Sequence, residues 1–285
     1  MKKILILSGK GGTGKTTITS ALIDLMSIQA FADCDIDAPN LHLIEAPKKI
    51  AKKEPFYGMD IAKIDSDKCI GCGKCYDSCR FDSIIKVDGK CTVNEIACEG
   101  CFVCELVCPQ DAISHVKNIV GTTQVFKDDK VFSTAILNMG SGNSGKLVSE
   151  VKKNLYENTD TQPLAIIDGS PGIGCPVIAS LSGIDLAVLV TEPTLSGLSD
   201  LRRIVDTSRT FKTPVAIIIN KYDLNEEIAD NIKSYAKSEK IPYLGSIPYD
   251  KEVSKAINNS ISLSKVDCEA SRAIIKIKDR IDNLL

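Results

Sequence analysis

Lys3-Ile4-Leu5-Ile6-Leu7-Ser8-Gly9-Lys10-Gly11-Gly12-Thr13-Gly14-Lys15-Thr16-Thr17 passes from an apolar run, through a glycine loop, into a segment of helical spacing. Lys2 to Leu7 reads as a buried strand and Thr16 to Met26 as a helix. A glycine loop between a strand and a helix is a phosphate-binding loop. Its glycines let successive backbone N–H groups turn inward as a nest, at the positive end of a helix. The spacing gives Lys15 the β- and γ-phosphates and the Thr16 hydroxyl a Mg²⁺ ion. Gly11, Gly12, Thr13, Gly14 and Thr17 complete the nucleotide-binding loop.

The same alternation continues down the chain. Leu164-Ala165-Ile166-Ile167-Asp168 is an apolar strand ending in an acid, which places Asp168 to hold magnesium through water. Ile184 to Thr191 is followed by a helical pattern over 198–211, and Pro214 to Asn220 by one over 226–237. Strands alternating with helices predict an α/β fold, a mostly parallel sheet covered on both faces. With 285 residues, 44% of them hydrophobic, and a net charge of −2, the chain buries a large core and carries no nucleic-acid footprint. No run of eighteen apolar residues occurs, and the chain opens directly into a strand. We therefore expect a cytoplasmic protein without stable membrane association.

Between these parts lie eight cysteines in two copies of C-x2-C-x2-C-x3-C: Cys69, Cys72, Cys75 and Cys79, then Cys98, Cys101, Cys104 and Cys108. This is the bacterial ferredoxin pattern for two [4Fe–4S] clusters, in which the last cysteine of each run serves the other cluster. The pattern assigns Cys69, Cys72, Cys75 and Cys108 to cluster one, and Cys98, Cys101, Cys104 and Cys79 to cluster two. An internal repeat supports it, because Cys79-Arg80-Phe81-Asp82-Ser83-Ile84 aligns with Cys108-Pro109-Gln110-Asp111-Ala112-Ile113. Structural zinc takes separated pairs rather than triplets with a trailing fourth. Disulfides do not suit a chain without a secretory signal. The cysteine-rich stretch divides the chain into 1–63, an insert at 64–117, and 118–285.

Lys10, just after the first glycine, makes the loop KGGTGKT, the deviant Walker A form. With the parts above, the chain resembles the MinD/Mrp class of P-loop ATPases, which also holds the nitrogenase iron protein, and within it the members carrying an inserted ferredoxin domain. The resemblance implies that Lys10 reaches across a dimer to the partner's nucleotide. It makes Asp33-Cys34-Asp35-Ile36-Asp37 a switch I segment, with Asp35 orienting the attacking water and the magnesium shell and Asp37 a substitute. Gly169-Ser170-Pro171-Gly172 looks like switch II, with the Gly172 N–H free to sense the γ-phosphate. Asn220-Lys221-Tyr222-Asp223 resembles the guanine-reading loop of GTPases. Related ATPases also use an asparagine here, helped by a loop like Ile247-Pro248-Tyr249-Asp250, so Asn220, Asp223 and Pro248 are base-recognition candidates and ATP is the favoured nucleotide.

Four cysteines remain. Cys34, Cys91 and Cys268 read as small buried hydrophobes. Cys175 lies seven residues after Asp168, the offset of one cluster ligand in the nitrogenase iron protein, and is a candidate interface metal ligand against a structural alternative. Gly140 to Lys146 reads as a plain loop ending at a helix N-terminus, because it lacks the spacing of a phosphate loop. The C-terminal segment mixes Arg272, Lys276, Lys278 and Arg280 with Asp279 and Asp282, so it is expected to pack on the sheet. The expected function is an ATP-dependent iron–sulfur protein working as a homodimer, or as a heterodimer with a sister ATPase. Its partner would be a client apo-protein receiving a cluster or a redox partner receiving electrons. A MinD-like positioning ATPase with structural clusters is the alternative from another class.

Overall fold

The computed structural model of the chain describes residues 1–45, 49, 52–159 and 162–285. In chain order the elements are β1 (Lys2–Ser8), α1 (Lys15–Leu25), β2 (Ala30–Asp33), β3 (Lys52–Tyr57), β4 (Ile61–Ile64), α2 (Lys74–Ser78), β5 (Ile84–Val87) and β6 (Lys90–Val93). There follow α3 (Val103–Leu106), β7 (Ile113–Val116), β8 (Ile119–Lys127), β9 (Val131–Leu137), α4 (Ser144–Glu157), β10 (Leu164–Pro171) and α5 (Cys175–Leu181). The chain closes with β11 (Leu186–Thr191), α6 (Leu195–Thr210), β12 (Val215–Asn220), α7 (Glu226–Ser238), β13 (Tyr243–Ile247), α8 (Lys251–Asn258) and α9 (Glu269–Asp282).

One sheet runs in the order β13-β12-β11-β1-β10-β2-β9-β8-β3. From β13 to β9 each neighbouring pair is parallel. The central strands are continuous apolar runs, as strands covered on both faces must be. Ile4, Leu5, Ile6 and Leu7 of β1 and Ala216 to Ile219 of β12 are all fully buried. The carboxyl ends of β1, β2 and β10 converge where Asp33 and Asp168 stand opposite each other in register. That is where open α/β sheets place their ligands.

The C-terminal helix behaves as its pattern predicts. Ala270, Ile274, Ile277 and Ile281 form a buried stripe, while Arg272, Lys276 and Asp279 face out. Among the described residues no helix is long and apolar enough to cross a membrane.

Helices α4 and α5 are joined by one buried lysine. Lys152 Nζ donates to the carbonyls of Ala179 (3.0 Å), Ser180 (2.7 Å) and Ser182 (2.6 Å), which closes the last turn of α5. Burial pulls this ammonium down to about 8, so it still carries its proton at neutral pH. Lys152→Met leaves those carbonyls unpaired and is expected to lower the unfolding free energy by about 2 kcal/mol in a urea titration.

The chain divides into two compact units: 1–54, 123–136 and 144–285 form the first, and 55–122 with 137–143 form the second. The second unit is therefore wider than the cysteine-rich stretch and takes in part of the glycine-rich loop. It is built from two antiparallel pairs, β4 with β7 and β5 with β6, and the short helices α2 and α3. Its core is Ala62, Cys75, Ile84, Cys91, Cys104 and Ile113, with Ile64, Val93, Phe102 and the cysteines at 69, 79, 98 and 108 packed around it. Few large aliphatic side chains contribute.

Candidate functional site

The glycine loop leaves β1 and enters α1 with Gly14 as the residue before the helix, at φ +86°. No side chain caps that end, and no acid lies in the first turn. The N–H groups there are open to an anion. A Cβ on Gly14 would lie 2.4 Å from Asn220 Nδ2, so only glycine fits in this backbone conformation. At Gly11 and Gly12 the corresponding space is empty to 4 Å. The loop thus has a packed side and an open side, and the Thr13 hydroxyl is buried without a partner.

Lys15 extends into a ring of acids. Its Nζ lies 2.8 Å from Asp168 and 3.9 Å from Asp35. Thr16 Oγ1 donates to the other Asp168 oxygen at 2.6 Å, and Thr19 Oγ1 donates to Asp168 at 3.1 Å. Burial alone would pull the Lys15 ammonium down; Asp168, with Asp33 and Asp35 behind it, holds it above its ordinary value. Asp33 is raised as well: burial and the charge of Asp168 push it up to about 7. Burial likewise raises Asp35, with Lys15 opposing. Crowded carboxylates around one ammonium and a threonine hydroxyl suit a divalent cation, whose charge would relieve their repulsion.

At the far end of the loop, Asn220 Nδ2 donates to the Thr13 carbonyl at 2.7 Å and anchors the loop to β12. Asp223 accepts the Tyr249 N–H at 2.7 Å, joining the two stretches proposed to read the base, with Pro248 half-buried beside them. Thr17 is half-buried on α1.

Several expectations need correction. The Gly172 N–H is not free: it donates to the Ser8 carbonyl at 2.9 Å, because β10 extends through Pro171 and its end stays paired with β1. Asp37 is exposed, and Asp35 alone faces Lys15. Asp33 is the acid that shapes the loop after β2, accepting the N–H groups of Asp35 (2.9 Å), Asn40 (3.0 Å) and Leu41 (3.0 Å). Glu192 was not singled out by any motif. It pairs with Lys221 at 2.7 Å and with Lys10 at 3.5 Å, so it is the contact that holds Lys10 in the single chain. Cys175 is exposed at the start of α5, and its thiol is free of any disulfide.

In the second unit the cysteines gather in two sets. Cys69, Cys72, Cys75 and Cys108 line one cavity, together with Cys91. Cys79, Cys98, Cys101 and Cys104 line the other. Cys91 is therefore more than a buried hydrophobe, because the β5–β6 hairpin folds its thiol back among the first set. Gly71 (φ +71°) lies against the Gly89 carbonyl, which a Cβ would approach to 1.9 Å. The cavities keep thiolates accessible to different degrees. Hydrogen bonds from the backbone N–H groups of Cys91 and Gly71 hold Cys69 below its usual value. Burial and Cys91 push Cys75 up to about 12. Among the described residues no three or more His, Cys, Asp or Glu side chains converge as ligands of one ion would. The thiols are instead spread around two cavities.

The profile of the CobQ/CobB/MinD/ParA nucleotide binding domain matches residues 4–263, which includes the glycine loop, the acid ring and β12. The chain belongs to that family.

Within this MinD/ParA family, the chain is 36% identical to the uncharacterized protein MJ0578 of Methanocaldococcus jannaschii, over 99% of this chain and 97% of the relative. It is 24% identical to the iron-sulfur cluster carrier protein of the same organism, over 98% of this chain and 83% of that one. A 54-residue stretch, 18% of the chain, is 39% identical to the uncharacterized ferredoxin MJ0722 of that organism, covering 70% of it. Among solved structures, the cell division ATPase MinD of Pyrococcus furiosus aligns with a TM-score of 0.57 at 18% identity, over 100% of this chain and 99% of that one. The fold is thus the α/β P-loop fold with a mostly parallel sheet.

Proposed function

We propose that this MinD/ParA-type protein is an ATP-dependent iron–sulfur protein, a nucleotide-controlled dimer that assembles clusters or delivers them to a target apo-protein. The observation that carries the reading is the sorting of eight cysteines into two sets of four around two cavities. It matches the crossover ligand sets that the spacing assigns. Residues 64–117 then act as a ferredoxin-like insert in a P-loop domain of 1–63 and 118–285. The likeness to cluster carrier proteins supports the delivery role. Bound in the two cavities, [4Fe–4S] clusters supply one-electron chemistry or serve as cargo.

At the other site the loop N–H groups and Lys15 take the phosphates of ATP. Thr16, Asp35 and Asp168 hold Mg²⁺, and Asp35 orients the attacking water. Asn220, Asp223 and Pro248 border the base. Catalysis here is positioning and charge stabilisation. Lys10, half-buried and held by Glu192 and Thr194 at 3.5 Å, is released to the partner's nucleotide when two faces meet. Lys10→Ala is expected to abolish dimerisation on a non-hydrolysable ATP analogue, measured by light scattering, while iron content stays at the native level.

The deciding experiment mixes anaerobically loaded protein with an apo-ferredoxin acceptor and an iron chelator, with and without MgATP. Delivery predicts chelator-resistant transfer that MgATP accelerates. A second reading, ATP-gated electron transfer, is favoured by the 54-residue ferredoxin match. It predicts no transfer, but a MgATP-dependent shift in the EPR midpoint potential. If neither occurs, and oxidising the clusters leaves ATP turnover unchanged, the insert is structural and the proposal fails.

A further inference from the structure

The two halves of the cysteine repeat share their ligand spacing and their strands, and two of the positions where they differ lie in the cysteine cavities. The step of the repeat that takes Cys69 to Cys98 takes Ser83 to Ala112, and it takes β4 onto β6 and so Ala62 to Cys91. In each pair one member carries a side-chain hydrogen-bond donor, Ser83 or Cys91, and its alanine mate carries none. Ser83 is buried at 3% exposure, with its hydroxyl 3.1 Å from Cys79 Sγ. Cys108, the repeat partner of Cys79, accepts the Ala112 backbone N–H at 3.4 Å, and the Ala112 side chain has no donor to add. Cys91 is buried at 5% exposure inside the cavity of Cys69, Cys72, Cys75 and Cys108. Its backbone N–H and its thiol both reach the Cys69 sulfur, and the thiol also meets Cys75. By the crossover assignment, the two donors serve different clusters.

We propose that Ser83 and Cys91 are positioning residues that hold the two cluster sites at different reduction potentials. Ser83 acts on the site of Cys79, Cys98, Cys101 and Cys104, and Cys91 acts on the site of Cys69, Cys72, Cys75 and Cys108. The proposal rests on the cluster reading given under Proposed function. One-electron reduction adds a negative charge that spreads onto the ligand sulfurs, and a donor aimed at a sulfur stabilises it. An O–H is a stronger donor than an S–H. The Ser83 site is therefore the higher of the two. An electron from a low-potential one-electron donor comes to rest there, and the Cys91 site is the lower step. The ordering gives the chain a direction for electrons or a preference for which cluster is released in reduced form.

The test is an anaerobic dithionite titration followed by EPR, with iron and sulfide measured on each sample. Native protein is expected to show two midpoints. Ser83→Ala should lower the upper one alone and Cys91→Val the lower one alone. In each case the reduced fraction at fixed potential should fall about tenfold, which for one electron corresponds to about 59 mV. Ser83→Thr keeps an O–H donor and should hold the upper midpoint at its native value, and Cys91→Ser, with the stronger donor, should hold the lower midpoint at or above its native value. Unshifted midpoints in iron-replete variants overturn the proposal, as does the same shift in the donor-keeping variants. If Cys91→Val loses iron and Cys91→Ser does not recover it, Cys91 holds the cluster or its packing and the donor role is wrong. Native protein without iron would instead sink the cluster reading itself, before any variant is compared.

Discussion

Replacing Lys15 by alanine is expected to lower ATP hydrolysis about a hundred- to a thousandfold, the loss typical when a preorganised donor at a reacting centre is removed. Lys15 is the buried ammonium in contact with Asp168 and Asp35. On the proposed function its removal takes away the cation assigned to the phosphates, and it leaves Asp33, Asp35 and Asp168 repelling one another. The nucleotide-free variant should therefore also lose stability, by about 3–5 kcal/mol. Phosphate release measured beside a thermal melt separates the two effects. Because Lys15→Ala could unfold, Thr16→Ala serves as the second variant: Thr16 is only half-buried, and its loss removes one magnesium ligand and one bond to Asp168. Native turnover in either folded variant would refute this assignment of the nucleotide site.

The second large effect concerns iron. Cys72→Ser is expected to remove about half of the iron, leaving one four-iron site. The informative comparison is between double variants. Cys72→Ser with Cys108→Ser disables one cavity twice and should lose no more iron than the single change. Cys72→Ser with Cys79→Ser, two cysteines from the same sequence run, touches both cavities and should lose nearly all. Iron and sulfide analysis reads the result directly. If the same-run pair spares half the iron and the cross-run pair empties the protein, the ligands follow sequence order and the crossover assignment is refuted.

The parts of this molecule that sequence made legible are those whose neighbours are fixed by local geometry. Lys15, Thr16 and Asp168 meet because a strand, a glycine loop and an adjacent parallel strand allow little else. The alternating apolar runs likewise announced the parallel sheet. Asp33 was harder, since its work is to accept backbone N–H groups from its own loop, and an acid doing that looks like its neighbours Asp35 and Asp37. Glu192 sits at the end of a strand with no motif around it, and its meaning comes from two lysines far away in sequence, Lys10 and Lys221. Gly172 was misread because its N–H remains paired with Ser8. Cys91 lies outside the repeated spacing, and only the turn of a hairpin brings it to the other thiols.

The core of the second unit carries a last consequence. Much of it is thiol rather than aliphatic side chain, and a scaffold so small is short of apolar burial unless something ties it together. On the cluster reading, a newly synthesised chain emerges with a self-sufficient nucleotide-binding half and an insert that is finished only when iron and sulfide arrive. Metal supply then works as a checkpoint on maturation. In an iron-starved cell the insert would be the stretch that proteases find first, so the abundance of the protein would follow the very resource it handles.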